Sequence, residues 1–245
     1  MKTLNKMRFI SLLITPLTIA ILSAPTVSMA SQQRVISNQK FAVLAGTTIT
    51  NTGKTEINGD VGLFPGTALT GQESLTLKGK AHLADAASNV AKLDLVNSYN
   101  AGDTSIPATC IATELGGKTL THGNYDSGSG TFEITGTLTL DAKGDPNAYF
   151  IFRTASTLIT ATGSKVKLIN GANPNNVIWR VGSSSTLQTN SHFEGRIFAL
   201  TSITVNTGAT VRGQLLARNG AVTLDNNIIS NEFEKHSHLS KSRTN

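Results

Sequence analysis

Hydrophobic and polar positions repeat in a fixed order over the second half of the chain, between Tyr149 and Ile229. Each copy begins with a strongly apolar segment and continues, after a short corner, into a segment of alternating hydroxyl and apolar side chains. The apolar segments are 149–152, 177–179, 196–200 and 214–217, and the hydroxyl segments are 156–160, 185–189, 202–206 and 221–225. Ile178, Ile197 and Leu215 occupy equivalent positions 19 and 18 residues apart. Such short repeats of β-branched and turn residues are typical of β-solenoid coils.

The same style of segment occurs near the amino terminus, from Phe41 to Val61. Segments 41–44, 47–51 and 55–58 are separated by corners at Gly46, Gly53 and Gly59. We expect these strands to fold back as a coil of the same solenoid, which makes the solenoid discontinuous in sequence. The predicted fold class is therefore mainly β, a discontinuous β-solenoid over residues 31–231 with one long α-helix packed alongside.

Residues 79–101 carry the one clear helical pattern. The predicted polar side comprises His82, Asp85, Asn89 and Lys92, and the opposite side comprises Leu83, Ala84, Ala87, Val90, Ala91 and Leu95. The apolar strand segments are hydrophobic at consecutive positions, which indicates that both of their sides are buried. Since the solenoid core covers only one side, we expect the helix to cover the other.

The hydroxyl segments alternate, so that their apolar residues point inward and their hydroxyl residues point outward. Nothing in the sequence is available to cover this outward side, which predicts a flat, exposed surface of short hydroxyl side chains. The candidate site residues are Thr48, Thr50, Thr137, Thr139, Thr157, Thr186, Ser202, Thr204 and Thr223. Lys and Glu, which usually protect exposed sheets, are nearly absent from this set, although Ile159, Gln188 and Asp225 interrupt it.

The two ends of the chain do not follow the repeat. Residues 1–30 combine early bases, an apolar run from Phe9 to Leu22 and the small residues Ser28-Met29-Ala30, which predicts a signal peptide cleaved after Ala30. The apolar run is too short for a membrane span, so we expect a chain that is secreted or placed on the exterior of the cell envelope. Residues 232–245 are interpreted as a loose polar tail.

Charge and cysteine content narrow the function classes. The formal net charge of +6 includes three leader bases, which leaves +3 for the mature chain, and its bases are scattered with few aromatic residues beside them. Nucleic-acid binding therefore has little support. Cys110 is the single cysteine, so no intramolecular disulfide is possible, and we expect it to be a buried small hydrophobe. The chain is expected to be a monomer.

No arrangement of residues in the sequence indicates an enzyme. The five histidines lack metal-ligand spacing to cysteines or acids, and no nucleophile elbow, phosphate loop or calcium-binding motif is present. Asp141 and Asp145 flank Lys143-Gly144 and are interpreted as turn residues. We therefore expect no catalytic residues, no metal and no cofactor.

A flat array of threonines presents one methyl and one hydroxyl at each position. Stacked strands repeat at about 4.8 Å along a solenoid, which is close to spacings in the ice lattice. Such a surface could hold ordered water between its methyl groups and merge with an ice crystal, because many weak contacts formed together make adsorption effectively irreversible.

Several segments resemble the microbial ice-binding proteins of the discontinuous β-solenoid type. The resemblance covers nearly all of residues 38–230 and is carried by segments 41–53, 57–62, 65–71, 115–117, 135–142, 150–152, 176–184 and 220–225. It implies a right-handed, three-faced solenoid with a helix alongside one face, and it implies that a flat strand face contacts ice. The resemblance specifies the scaffold more firmly than ice affinity, because the family has no rigid ice-contacting motif.

The preferred hypothesis is an exported, non-enzymatic protein that inhibits ice growth or recrystallisation. A second hypothesis is an extracellular adhesion or matrix module that binds glycan or protein on the same scaffold. A third, a polysaccharide hydrolase, would need clustered outward carboxylates on one strand face, and the sequence offers only scattered acids there.

Overall fold

The computed structural model describes residues 37–101 and 107–231. The predicted signal peptide and polar tail lie outside these described residues. Within the described part, one α-helix, α1 (Ala86–Ala101), accompanies a set of parallel strands. The strands are β1 (Phe41–Ala45), β2 (Thr48–Thr52), β3 (Thr55–Asn58), β4 (Asp60–Leu63), β5 (Ala68–Thr70), β6 (Leu75–Lys78), β7 (Ala81–Leu83), β8 (Thr109–Ile111), β9 (Thr119–Thr121), β10 (Gly123–Ser127), β11 (Phe132–Ile134), β12 (Thr137–Asp141), β13 (Phe150–Thr154), β14 (Leu158–Thr160), β15 (Lys165–Ile169), β16 (Val177–Val181), β17 (Ser185–Leu187), β18 (His192–Ala199), β19 (Ile203–Val205), β20 (Thr210–Ala217), β21 (Val222–Asp225) and β22 (Ile228–Ser230).

The strands form three faces, each crossed once by every full coil. The helix face contains, in spatial order, β8, β10, β13, β16, the second halves of β18 and β20, β1, β4 and β7. The hydroxyl face contains β11, β14, β17, β19, β21, β2 and β5. The charged face contains β9, β12, β15, the first halves of β18 and β20, β22, β3 and β6. The predicted three-faced, mainly β solenoid is confirmed.

Two strands continue from the charged face onto the helix face without a break. In β18 and β20 the corner falls at Gly195 and Gly213, where φ is 116° and 147°. A Cβ atom at Gly213 would lie 1.8 Å from the carbonyl oxygen of Gly195. Glycine is required here because the backbones of successive coils approach each other closely at the corner.

The amino-terminal strands stack on the carboxyl-terminal end of the repeat. Val43 of β1 pairs with Leu215 of β20, and Ile57 of β3 pairs with Ile229 of β22. On the hydroxyl face, Thr50 of β2 pairs with Thr223 of β21. Residues 41–58 therefore form a coil that follows residues 210–230 in space, which confirms the predicted discontinuity.

An aromatic stack fills part of the solenoid interior. The rings of Phe152 and Trp179 are stacked with their centroids 4.0 Å apart, and Tyr125 stacks on Phe152 from the other side at 5.3 Å. The indole Nε1 of Trp179 donates a hydrogen bond to the carbonyl oxygen of Glu194 at 3.3 Å. The stack joins three successive coils, so each coil depends on its neighbours for a buried core.

The helix begins later than the sequence pattern predicted. Instead of starting at residue 79, the chain forms the short strand β7, which pairs with β4, and α1 starts at Ala86. Asp85 caps the helix because its carboxylate accepts a hydrogen bond from the backbone N–H of Ser88 at 2.8 Å. The predicted span of 79–101 was therefore wrong at its amino-terminal end.

The helix covers the apolar strands of the helix face, as predicted. Ala91, Leu95 and Tyr99 are buried in a cluster with Leu44, Phe198 and Leu216. The hydroxyl of Tyr99 donates a hydrogen bond to the carbonyl oxygen of Val181 at 3.1 Å. This contact fixes the carboxyl-terminal end of α1 on the solenoid.

The rotation of the helix differs from the predicted one. Lys92, which was assigned to the polar side, is buried, whereas Val90 and Leu93 are 49% and 58% exposed. The ammonium group of Lys92 donates hydrogen bonds to the backbone carbonyl oxygens of Ala217, at 2.7 Å, and Arg218. Since these carbonyls satisfy the buried charge, the lysine is tolerated beneath the helix.

Cys110 is exposed, so the expectation that it is buried was wrong. It lies in β8, a three-residue strand that pairs only with β10 among the described residues. A side chain in a terminal strand has no further coil to cover it.

Candidate functional site

Five threonines lie side by side along the hydroxyl face, and we call them the threonine row. In spatial order they are Thr186, Thr204, Thr223, Thr50 and Thr70, one each from β17, β19, β21, β2 and β5. Parallel pairing places each threonine directly opposite the next. The row therefore repeats at the strand spacing of about 4.8 Å.

The alternation of each strand turns the row outward. The residues that precede the row members Thr204, Thr223 and Thr50 are fully buried in the core, namely Ile203, Val222 and Ile49. Because successive side chains in a strand point to opposite sides, the threonines must lie on the outer surface. None of the five row residues is buried.

The row hydroxyls are available to water. Within the described residues, the hydroxyls of the five row threonines form no hydrogen bond to protein and no charged group lies in the row itself. Each threonine also exposes a methyl group next to its hydroxyl. The surface therefore combines unsatisfied polar groups with regularly spaced apolar ones on a rigid sheet.

A second line of short side chains borders the row on one side. Thr48 begins β2, whereas Ser202 and Thr157 lie immediately before β19 and β14. Each is two positions before the row position of its coil, so all three share the hydroxyl face. The Ser202 hydroxyl oxygen accepts a hydrogen bond from the N–H of Ala221 at 3.2 Å. The Thr157 hydroxyl lies 3.2 Å from that of Thr131. These hydroxyls are thus partly engaged with protein.

Amide and carboxylate side chains border the row on its other side. Thr52 lies opposite Asp225 in the strand pairing. The Asn206 Nδ2 atom donates a hydrogen bond to the Oε1 atom of Gln188 at 2.7 Å. These contacts tie polar side chains to each other along the border, which leaves the row as the regular part of the face.

The row changes character towards one end of the solenoid. Ile159 of β14 occupies the row position next to Thr186, and Glu133 of β11 occupies the position beyond it. Ile159 is 36% exposed. The regular array of threonines thus spans five coils and ends at Ile159.

Two predicted site residues lie on a different face. Thr137 and Thr139 belong to β12, which pairs with β9 and β15 on the charged face. Thr137 lies opposite Lys165, and Thr139 lies opposite Lys167. The sequence shows that they point outward but does not show which corner precedes their strand, so grouping them with the other candidates was wrong.

Thr70 belongs to the threonine row but was not among the predicted site residues. Its segment contains Pro65, Gly66 and Gly71 and is rich in turn residues, yet Ala68–Thr70 forms β5 and pairs with β2. The signal was present in the alternation around Leu69, which is buried between two exposed neighbours.

The helix does not cover the threonine row. Its buried contacts are with Leu44, Phe198 and Leu216, all on the helix face. At 16 residues, α1 is also too short to cross a bilayer, and no other helix in the described part of the chain qualifies as a membrane span. Among the described residues, α1 therefore leaves the hydroxyl face uncovered.

Candidate metal ligands form no cluster among residues 37–101 and 107–231. No three His, Cys, Asp or Glu side chains converge there as metal ligands. Hydrogen bonds from the side chain and backbone of Lys143 hold the pKa of Asp141 at about 2. Asp145 accepts a hydrogen bond from the N–H of Asn147 at 2.8 Å. Asp141 ends β12 and Asp145 follows it, and both carboxylates accept backbone hydrogen bonds of the turn after β12, as the sequence indicated.

The fold and the face together define a discontinuous parallel β-solenoid with a flat, helix-free threonine array. Residues 43–230 match the family model described as Ice-binding-like, and the chain belongs to this family. An ice-binding protein from Nostoc sp. (strain HG1) is 44% identical over 193 residues, which cover 78% of this chain and 71% of that protein. Ice-binding protein 1 of Shewanella frigidimarina (strain NCIMB 400) is 34% identical over 224 residues, and the match covers 78% of this chain but only 25% of that protein.

A solved structure agrees with this assignment. The crystal structure of an ice-binding protein from an Antarctic biological consortium superposes with a TM-score of 0.77 at 40% sequence identity. The match covers 92% of this chain and 96% of that chain.

Proposed function

We propose that this protein binds ice by adsorption through the threonine row. The observation that carries the proposal is the row itself: five threonines from five adjacent coils in parallel register, with hydroxyls that make no protein hydrogen bonds in the described structure. Membership in the Ice-binding-like family and the named functions of the relatives support it.

The chemistry of adsorption follows from the rigidity of the sheet. Threonine side chains are stiff at χ1, so methyl and hydroxyl groups hold their positions without a further loss of entropy. Water bound between the methyls can join the ice lattice, and each hydroxyl can replace a water partner at the crystal surface. Adsorption through many simultaneous weak contacts then stops growth of the covered ice surface.

We also propose that the protein acts outside the cell. It is an exported monomer without catalytic activity, and bound protein inhibits ice growth or recrystallisation near the cell. The predicted leader supports export. An adhesion module in place of an ice-binding protein finds no support in the relatives, which are named for ice binding.

Partition into slowly growing ice tests the proposal. The purified exported chain is mixed with a freely diffusing control protein of similar size, and a fraction of the solution is frozen onto a cold surface. We expect enrichment of the chain in the ice fraction and exclusion of the control protein. Equal exclusion of both proteins contradicts ice binding.

A further inference from the structure

The three faces carry charge in different ways. The threonine row has no cation, and the arginines of the helix face are engaged with neighbouring groups. Arg153, for example, binds the Asp126 carboxylate with its Nε atom at 2.6 Å and its Nη2 atom at 2.9 Å. By contrast, the outward positions of the charged face carry four cations, which are Lys78, Lys165, Lys167 and Arg212.

Two of these four cations already have acidic partners. Lys78 pairs with the Glu56 carboxylate, and the Nη1 atom of Arg212 lies 2.9 Å from the Oε1 atom of Glu194. Lys165 and Lys167 have no ion pair within residues 37–101 and 107–231. The unneutralised positive charge of the charged face is therefore concentrated on β15.

The alternation of side chains along β15 places both lysines on the same side of the strand. Val166 is buried between two exposed lysines, so Lys165 and Lys167 project from one side of the strand. Their Cα atoms lie about 6.6 Å apart, which is two strand residues. We define the basic patch as these two lysines with the side chains opposite them in the pairing, Thr137, Thr139 and His192.

The side chains directly opposite the two lysines in the strand pairing are neutral and polar. Thr137 is opposite Lys165 and Thr139 is opposite Lys167 on β12. On the other side, His192 faces Lys165, and its Nδ1 atom lies 2.8 Å from the Thr210 hydroxyl. The patch itself contains no carboxylate, and the nearest acids on the flanking strands, Asp141 and Glu194, already pair with Lys143 and Arg212. The patch also has no exposed large apolar side chain, so it combines point charges with hydroxyl groups on a flat sheet.

We propose that the basic patch binds a carboxylate-bearing polysaccharide. Two ammonium groups match carboxylates spaced along a polymer, and the neighbouring threonine hydroxyls match its sugar hydroxyls. Lysine suits such a ligand because its hydrated point charge tolerates variable carboxylate geometry, whereas arginine favours fixed bidentate pairs. A bilayer is a poorer partner, because stable membrane association requires apolar insertion or more basic residues.

This contact is additional to ice binding and lies on another face. The basic patch is on the charged face, whereas the threonine row is on the hydroxyl face. Both ligands can be held at once, so the patch would keep the protein within an anionic extracellular polymer while the row remains free. The contact also does not depend on whether the threonine row binds ice.

Retention on immobilised polygalacturonate tests the proposal. The purified exported chain is loaded on this carboxylated resin and on an uncharged agarose resin, and each column is eluted with a salt gradient. In a parallel assay, binding of the chain to anionic phospholipid vesicles is measured by sedimentation. The variant Lys165→Gln/Lys167→Gln removes the two amines. The control variant Lys54→Gln/Lys80→Gln removes the same charge from two exposed lysines at corners outside the patch.

Exposed ion pairs are each worth up to roughly a fivefold change in affinity, so we expect the patch variant to bind polygalacturonate about tenfold more weakly than the wild type. The control variant should elute with the wild type, and ice partition should be unchanged in both variants. Failure of the wild type to bind the resin, equal losses in both variants, or retention on vesicles that matches retention on polygalacturonate overturns the proposal.

Discussion

Thr204 lies directly opposite Thr223 on the neighbouring parallel strand, and both side chains point away from the core. The residues before them, Ile203 and Val222, are fully buried and anchor the two strands. The positions of the outer threonines are thus set by the packing beneath them. This relationship, repeated over five coils, makes a surface that is both regular and rigid.

Extension of the threonine row should strengthen ice binding. Ile159 occupies the next row position, opposite Thr186, and is 36% exposed. The substitution Ile159→Thr keeps a β-branched side chain and adds a hydroxyl in register. Because simultaneous contacts reinforce each other, we expect thermal hysteresis to rise by about a factor of two. An unchanged or lower value in a fully folded variant would show that the row does not set the contact area.

Helix docking should depend on Leu95 and not on Leu93. Leu95 is fully buried against the helix face, whereas Leu93 is 58% exposed on the outer side of α1. Truncation of a buried leucine leaves a cavity, so we expect Leu95→Ala to lower the free energy of unfolding by about 2–5 kcal/mol. Leu93→Ala should change it by less than about 0.5 kcal/mol. Urea unfolding of both variants measures the difference, and equal losses would contradict the observed helix rotation.

The buried lysine beneath the helix should make stability depend on pH. Burial, with a smaller effect from the nearby Arg218, lowers the pKa of Lys92 from 10.5 to about 8. Below pH 8 both the folded and the unfolded chain carry the charge, so its cost to folding is constant. Between pH 8 and 10.5 the folded protein releases the proton first, and the free energy of unfolding must therefore rise with pH.

The variant Lys92→Met isolates this contribution. Relative to the variant, the wild type should gain up to roughly 3 kcal/mol of unfolding free energy between pH 8 and pH 10.5. Unfolding curves of both proteins at several pH values provide the measurement. Parallel pH profiles of wild type and variant would show that Lys92 keeps an ordinary pKa in the folded state.

The solenoid and its discontinuity could be predicted because each repeat in the sequence corresponds to one coil of the structure. Residues 41–58 carry the same alternation as residues 210–230, and the structure stacks these segments. The cover provided by the helix also followed from the sequence, since strands apolar at consecutive positions must be buried on both sides.

The sequence did not reveal to which of the three faces each outward residue belongs. Alternation distinguishes inward from outward at Thr139 and Thr204 alike, but the face depends on how many corners precede each strand. The rotation of α1 was hidden for another reason. Lys92 is stabilised under the helix by carbonyl oxygens of residues 217 and 218, more than 120 positions away, a contact that no local pattern reports.

The central claim is that the threonine row, and not threonine content in general, holds ice. A matched pair of variants tests it: Thr204→Tyr places a bulky ring in the middle of the row, and Thr139→Tyr places the same ring on the charged face. Both positions are half-exposed, so both variants should fold with nearly unchanged stability. Thermal hysteresis is the measurement. We predict that Thr204→Tyr lowers thermal hysteresis about tenfold, because the ring lifts the contact surface off the crystal and disrupts contacts that act together. Thr139→Tyr should keep the thermal hysteresis of the wild type. Full activity in Thr204→Tyr, or equal losses in both variants, would contradict adsorption through the row.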